Sequence, residues 1–466
     1  MLFNSFAFVI FFPLVVAGYF LLPPRFRNIF LLAASCYFYM YFNPVYVLIL
    51  FYTITVDYLA GLKIEKNTGN KKFQKLWLYA SLIANLGALV FFKYADFILQ
   101  SFSSVLHIAQ VDHSFSLLHI LLPIGLSFHT FQAISYTVEV YRGNQKAERN
   151  LLDYSLYVMF FPQLVAGPIE RPQRLIHQFK ERHYFTYENF SIGAKWILWG
   201  LFKKMVVADN LAVIVDSVYN NPYGHSGWAL ILATILFAFQ IYGDFSGYSD
   251  MAKGTAKILG FDLMINFNLP YFSKSLSEFW RRWHISLSAW FRDYVYISLG
   301  GNKHKFLRNT FITFGLSGIW HGANFTFLIW GLINGLFVFL DKVLAKLPFK
   351  FPGILKIVST FILIDFCWIF FRANNLNDVI YIITNLFSNL SVETIKTINA
   401  ERHTWFITMA MLGFMLSTEW FTKQKSVIGW WHSGSRFYKF IFLNTLLFLI
   451  IFFGVFEHRT FIYFQF

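Results

Sequence analysis

One ionisable side chain stands out in the sequence. From 309 to 340 the chain reads NTFITFGLSGIWHGANFTFLIWGLINGLFVFL, with no Asp, Glu, Lys or Arg and a single group that titrates near neutral pH, His321. An ionisable residue inside an apolar membrane segment is a functional candidate by default, because its charged form is costly there. The alternative is structural: a histidine hydrogen-bonded to a neighbouring helix as glue. Trp320, Gly322 and Asn324 surround it, and Gly315, Gly318 and Gly322 recur at helical spacing. Such glycines admit another backbone or a substrate chain, and they also serve ordinary helix packing.

Two further clusters carry chemistry. Residues 279–294, FWRRWHISLSAWFRDY, hold His284 together with Arg281, Arg282 and Arg292. Guanidinium groups suit the phosphates of a nucleotide-like donor or the acidic face of a carrier protein, and lipid phosphates equally well. Trp280, Trp283, Leu287 and Trp290 fall at helical spacing on one face. This pattern reads as an interfacial helix with headgroup-level aromatic anchors and snorkelling basic residues. Residues 242–250, YGDFSGYSD, place Asp244 and Asp250 between aromatics near a membrane boundary. These carboxylates either pair with nearby Lys or Arg, or orient a histidine or a basic loop. His129, in PIGLSFHTFQ, reads as a packing residue.

The elements that must position these groups are helices. The chain has 466 residues, of which 57% are hydrophobic and only 14% charged, against about 25% charged in a soluble protein. Apolar runs lie near 3–22, 28–42, 45–62, 76–98, 117–140, 151–166, 190–219, 226–243, 309–340, 354–371, 404–420 and 437–457. Many approach or exceed the roughly 20 residues that cross a bilayer as a helix. An all-α polytopic membrane protein follows, since barrel strands would be shorter and alternating. The net charge of +15 sits in short loops between apolar runs, the pattern of topology signals and not of nucleic-acid binding. Cys36 and Cys367 both lie in apolar runs, without the spacing of a disulfide framework or a zinc site. The N-terminal run reads as a first membrane helix, not a removed signal peptide. No internal repeat or low-complexity tract is visible.

Loop charges orient the first half. Basic residues follow the first, third and fifth runs, whereas 99–116 has no Lys or Arg, so the N-terminus is expected outside. The run 151–166 has basic flanks on both sides and ends in prolines, which points to a re-entrant or interfacial segment. The stretch 241–305 is too charged to span. The run 309–340 is too long for one perpendicular crossing and must tilt or break.

The stretches MLFNSFAFVIFF, PIGLSFHTFQAISYTVEVYRG, FFPQLVAGPIERP, YGDFSGYSDMAKGTAKILGFDLMINFNLPY, SLSEFWRRWHISLSAWFRDYVYISLGGN, GIWHGANFTFLIWG and FIYFQF extend from end to end. Together they resemble the membrane-bound O-acyltransferases, and within them the bacterial alginate O-acetyltransferase type. The resemblance implies about eleven membrane spans plus re-entrant helices around a passage through the bilayer. It implies one membrane domain, with N-terminal helices over 1–140, a core over 141–345 and C-terminal helices over 346–466. It implies that His321 is the catalytic histidine and His284 the second histidine of the motif. Arg281, Arg282, Trp320, Asn324, Asp244 and Asp250 are then candidates for donor binding or positioning. His129 departs from the Tyr or Phe expected in many relatives.

Members of this branch take acyl groups on the cytoplasmic side and deliver them to a polymer or a partner outside. The expected function is therefore O-acetylation of alginate or another exopolysaccharide, in a bacterial cytoplasmic membrane. The expected donor is acetyl-CoA or an acyl-carrier-protein thioester. The expected partners are membrane lipid and a separate outer-face acetyltransferase, with no nucleic acid and no bound cofactor or metal. Burial disfavours an imidazolium, so neutral His321 is the expected general base, and an acyl-histidine intermediate is the competing mechanism. Peptidoglycan O-acetylation and D-alanyl transfer from a carrier protein are the enzymatic alternatives. A transporter or flippase is the alternative from another class, since a broken helix with a midplane histidine suits it.

Overall fold

A computed structural model describes residues 1–110, 115–120, 122–165, 167–345, 351–422, 426–456, 459 and 461–464. Among the described residues there are helices and turns but no strands. The chain divides into two compact units, residues 1–190 with 255–264, and residues 191–254 with 265–466.

The first unit begins with α1 (Phe6–Leu21), α2 (Pro24–Met40) and α3 (Val47–Lys66). A long rod follows, α4 (Lys71–Leu89) passing through a π-turn into α5 (Ala95–Ile108). Next come α6 (Leu126–Arg142), α7 (Leu151–Met159) and the single turns α8 (Phe161–Leu164) and α9 (Pro172–Leu175). A polar pin joins α3, α4 and α6. Asp57, fully buried, accepts hydrogen bonds from Asn85 Nδ2 at 2.7 Å, from Thr137 Oγ1 at 2.7 Å and from Ser81. A carboxylate buried among apolar helices needs donors, and these three neutral groups supply them. His129 lies buried in α6, as a packing residue would. Within the run 151–166 the chain forms α7 and α8, mostly buried and too short to span: nine residues of α7 rise only about 14 Å. This matches a segment that does not cross. The expected loop 99–116 is helical up to Ile108, and residues 111–114 lie outside the described residues.

The second unit starts from a bent rod, α10 (Tyr187–Leu201), a π-turn (Phe202–Ala208) and α11 (Asp209–Tyr219). The 31-residue α12 (Trp228–Ile258) packs against it. Gly200 and Gly247 let the two backbones meet: a Cβ on Gly247 would lie 2.7 Å from Gly200 O. Two seven-residue helices follow, α13 (Leu276–Arg282) and α14 (Ile285–Phe291). Then come α15 (Phe306–His321), α16 (Phe325–Leu344), α17 (Gly353–Arg372), α18 (Leu376–Asn385), α19 (Arg402–Thr422), α20 (Val427–Ser433) and α21 (Arg436–Phe453).

Helix α12 carries straight through the aspartates of YGDFSGYSD, and the π-turn beside it supplies their lysine partners. Two sequence expectations change here. The aromatic stripe of 279–294 is not one helix, since α13 ends at Arg282 and α14 begins at Ile285. Trp283 and Trp290 are not interfacial anchors either, for both are buried. The run 309–340 resolves its excess length by breaking, at residues 322–324, into the hairpin of α15 and α16. Six helical stretches among the described residues are long and apolar enough to cross a membrane: Pro44–Lys66, Lys71–Ile108, Trp228–Ile258, Phe325–Leu344, Gly353–Arg372 and Arg436–Phe453.

The hairpin depends on backbone contact. A Cβ on Gly318 would stand 2.3 Å from Phe327 O, and one on Gly331 2.3 Å from Phe314 O. At Gly315 the nearest atom, on Leu332, is an ordinary 3.5 Å away. Gly318→Ala is therefore expected to force the helices apart at a cost of about 1–3 kcal/mol, read as a lower thermal-unfolding midpoint in detergent. Gly315→Ala should leave the midpoint near that of the parent.

Candidate active site

The two histidines singled out by sequence lie in one aromatic cluster within the second unit. His321 is the last residue of α15 and His284 precedes α14. Both are buried. The His321 ring lies 4.9 Å from Trp320, 4.9 Å from Trp330, 5.3 Å from Phe371 and 5.6 Å from Tyr463, between centroids. The His284 ring lies 4.6 Å from Phe245, 6.2 Å from Trp320 and 6.3 Å from Tyr463. Trp320 and Tyr463 thus touch both imidazoles. Burial lowers the His284 pKa to about 3, so that ring is neutral at physiological pH.

Each histidine sits where a helix breaks. His284 adopts φ 41° and ψ 56°, a left-handed conformation that side chains other than glycine rarely take. Asn266 makes the break affordable. Its carbonyl accepts from Ile285 N at 2.9 Å. Its Oδ1 accepts from Ser286 N at 3.2 Å and from Ser286 Oγ at 2.6 Å. These are the amides that a new helix leaves without internal partners. At the other break Asn324 caps α16, its Oδ1 accepting from Thr326 N at 3.0 Å while its Nδ2 donates to Asn374 O at 2.9 Å. Asn324 therefore shapes the hairpin that presents His321.

A cleft of about 460 Å³ opens between α13, α14 and α15, a volume in the range of small-ligand sites. Its lining includes Arg281, Arg292, Ser288, Thr310, Thr313 and Ser317. The last three form a stripe on α15 that ends at His321, four residues or about 6 Å beyond Ser317. Trp280 also lines the cleft. Its ring is 5.7 Å from Trp330, which in turn touches His321. The two expected arginines part company here. Arg281 faces the cleft, whereas Arg282 is absent from its lining and pairs with Glu278 at 2.6 Å.

Asp244 and Asp250 are held by adjacent lysines of the π-turn. Lys203 Nζ lies 2.5 Å from Asp250 Oδ2 and donates to Ser246 Oγ at 2.9 Å. Lys204 Nζ lies 2.6 Å from Asp244 Oδ1 and 2.8 Å from Asp209 Oδ1. The free oxygen of that pair turns toward the site: Asp244 Oδ2 accepts from Ile462 N at 2.7 Å, next to Tyr463. Sequence reasoning gave no role to Tyr463, Lys204 or Phe245. The only signal for Tyr463 was its place in the closing FIYFQF motif. No cluster of three or more metal-ligating side chains occurs among the described residues.

The model of the membrane-bound O-acyltransferase family matches residues 147–379, a segment containing all eight candidate residues named above. The "Probable alginate O-acetylase AlgI" of Pseudomonas aeruginosa is 42% identical over 384 residues, covering 81% of this chain and 73% of that protein. The "Peptidoglycan O-acetyltransferase" of Helicobacter pylori is 37% identical over 425 residues, 83% of this chain and 80% of its own. The "Teichoic acid D-alanyltransferase" of Bacillus subtilis is 30% identical over 277 residues, 54% of this chain and 68% of its own.

The His284 turn gives a local test. Asn266→Leu removes the side-chain acceptor of Ser286 and leaves buried donors unmatched, at about 1–3 kcal/mol. A drop in the thermal-unfolding midpoint is expected. Ser286→Ala, which leaves the backbone bonds to Asn266 in place, should cost less.

Proposed function

The chain belongs to the membrane-bound O-acyltransferase family, and from that premise we propose that it transfers an acetyl group from a cytoplasmic thioester, with His321 as general base, toward O-acetylation of a cell-surface polysaccharide. The chain is an O-acyltransferase and a multi-pass membrane protein, so the transporter reading falls away. The observation that carries the rest is a single one. The cleft lined by Arg281 and Arg292 follows α15 as far as Ser317, one helical turn before His321 at the end of that helix, and its wall residue Trp280 packs on Trp330, which touches the His321 ring.

In this reading the cleft takes the donor. Guanidinium groups recognise phosphate oxygens, and the hydroxyls of Ser288, Thr313 and Ser317 line the way inward. This favours acetyl-CoA, whose phosphates and slender thioester arm match such a lining. A carrier-protein thioester bears the same arm. At the inner end a neutral His321 nitrogen takes the proton of the acceptor hydroxyl. The freed oxygen attacks the thioester carbonyl, the carbon–sulfur bond breaks, and the departing thiolate takes the proton back from the imidazolium. His284, on the far side of Trp320, completes the aromatic wall.

The acceptor is an exopolysaccharide such as alginate, reached through a separate outer-face acetyltransferase, in a bacterial cytoplasmic membrane. The relatives acting on alginate support this choice over peptidoglycan, which a relative of similar coverage modifies. Transfer of D-alanine is less well supported, since that relative matches only 54% of this chain.

Labelled acetyl-CoA offered to the purified protein with its outer-face partner should give labelled product. His321→Ala should lower the rate about 10²–10⁴-fold, the usual contribution of a general base. Full retention of transfer by that variant would overturn the assignment. Arg281→Glu should raise the KM for donor about tenfold or more, with Arg282→Glu having the smaller effect. Loss of membrane insertion in Arg281→Glu, or equal effects at the two positions, would remove Arg281 from the donor site.

A further inference from the structure

The end of α21 and the described residues beyond it make four polar contacts with the π-turn, α11 and α12. Asn210 Nδ2 donates to Phe453 O at 3.0 Å, and Val455 N donates to Met205 O at 3.0 Å. Arg459 Nη1 lies 3.9 Å from Asp216 Oδ2. Ile462 N donates to Asp244 Oδ2 at 2.7 Å. The last contact is the buried one: Asp244, Phe461 and Ile462 are each less than 5% exposed. One residue beyond it, Tyr463 touches both histidine rings.

We infer that Lys204 and Asp244 are positioning residues, which hold the closing segment across the two histidines. The electrostatics explain why these residue types are needed. Lys204 is shared by Asp209 and Asp244, so the three charges sum to minus one in a buried place. Asp244 spends one oxygen on the lysine, and its second oxygen needs another donor. The backbone N–H of Ile462 is that donor, and a charge-assisted bond of this kind is stronger than a neutral one. Docking the segment and satisfying the carboxylate are therefore one event. Ring contacts finish the seat: Phe461 lies 4.9 Å from Tyr248 and 5.6 Å from Phe245 of α12, and Tyr463 lies 4.6 Å from Phe245. Phe245 in turn packs on His284. The π-turn contributes by placing Lys204 and Met205 side by side, one on the carboxylate and one on the strap.

This inference rests on the reading that the histidine cluster carries out acyl transfer, and its test keeps the two apart. The reporter is Ile462→Cys in a chain whose Cys36 and Cys367 are replaced by alanine, labelled with a maleimide in detergent. Asp244→Leu leaves the Lys204–Asp209 pair intact and deletes the acceptor. It should speed labelling about tenfold or more, and lower kcat for acyl transfer in parallel with little change in donor KM. Asp244→Asn keeps an acceptor oxygen and should return both readouts to within about threefold of the parent. If Asp244→Leu does not give a monodisperse species, Ile462→Pro carries the comparison, with the reporter at Phe461→Cys. Unchanged labelling in these variants would overturn the clamp whatever the donor is. Faster labelling with unchanged kcat would overturn its bearing on the reaction. Full activity in His321→Ala would instead strike the catalytic assignment and leave the labelling result standing.

Discussion

The site rests on the requirement that a backbone broken among apolar helices must find its hydrogen-bond partners within the protein. Both histidines occupy such breaks, and each break is closed by an asparagine. Asn266 takes up the amides exposed at the start of α14, and Asn324 takes up those at the start of α16. Each break sets an imidazole at a helix end, and both rings meet Trp320 and Tyr463 there. The asparagines offset the cost of the breaks. Asn266 also ties the turn to α12, since its Nδ2 reaches Ser249 Oγ at 3.3 Å.

Much of this was legible in the sequence, and the parts that were not share a physical cause. His321 was marked by its isolation in an uncharged run, and the excess length of that run required a break. The position of the break follows from Gly322 and from Asn324 as a cap, both readable. The split at His284 was not readable, because its cause lies in Asn266, eighteen residues before His284 and without charge to mark it inside its motif. Helical spacing of Trp280, Trp283 and Trp290 suggested one continuous face, yet tertiary hydrogen bonds overrode the periodicity. The fate of Asp244 and Asp250 was half visible. Pairing with lysine was one of the two readings, but the partners lie in a run, 190–219, whose apolar composition hid two buried cations.

Those cations show how an apolar chain carries charge inside. Lys203 and Lys204 are each 3% exposed, and each meets a carboxylate within 2.6 Å. Adjacent residues in a regular α-helix diverge by about 100°. The π-turn widens the helix at this point, and such turns recur at functional sites. Truncating one partner of a buried pair commonly costs about 3–5 kcal/mol, because the other charge is left uncompensated. The arrangement is therefore held tightly, and whatever it holds inherits that rigidity. In this protein that includes the backbone of Ile462.

The aromatic walls around His321 bear on how the proposed base would work. Trp320 and Trp330 meet the imidazole nearly at right angles, with interplanar angles of 81° and 83°. In the proposed mechanism an apolar aromatic wall disfavours the charged form of the ring before the reaction. Once the proton arrives the ring would be a cation, and wherever an indole turns its face to it the contact would be worth about 0.5–2 kcal/mol. The stabilisation therefore grows as charge develops, which is what lowers a barrier; equal stabilisation of both states would not. A carboxylate in place of one of these rings would favour the imidazolium from the outset and leave less of the neutral base. The same rings that made His321 look out of place in the sequence are, on this argument, what suits it to act.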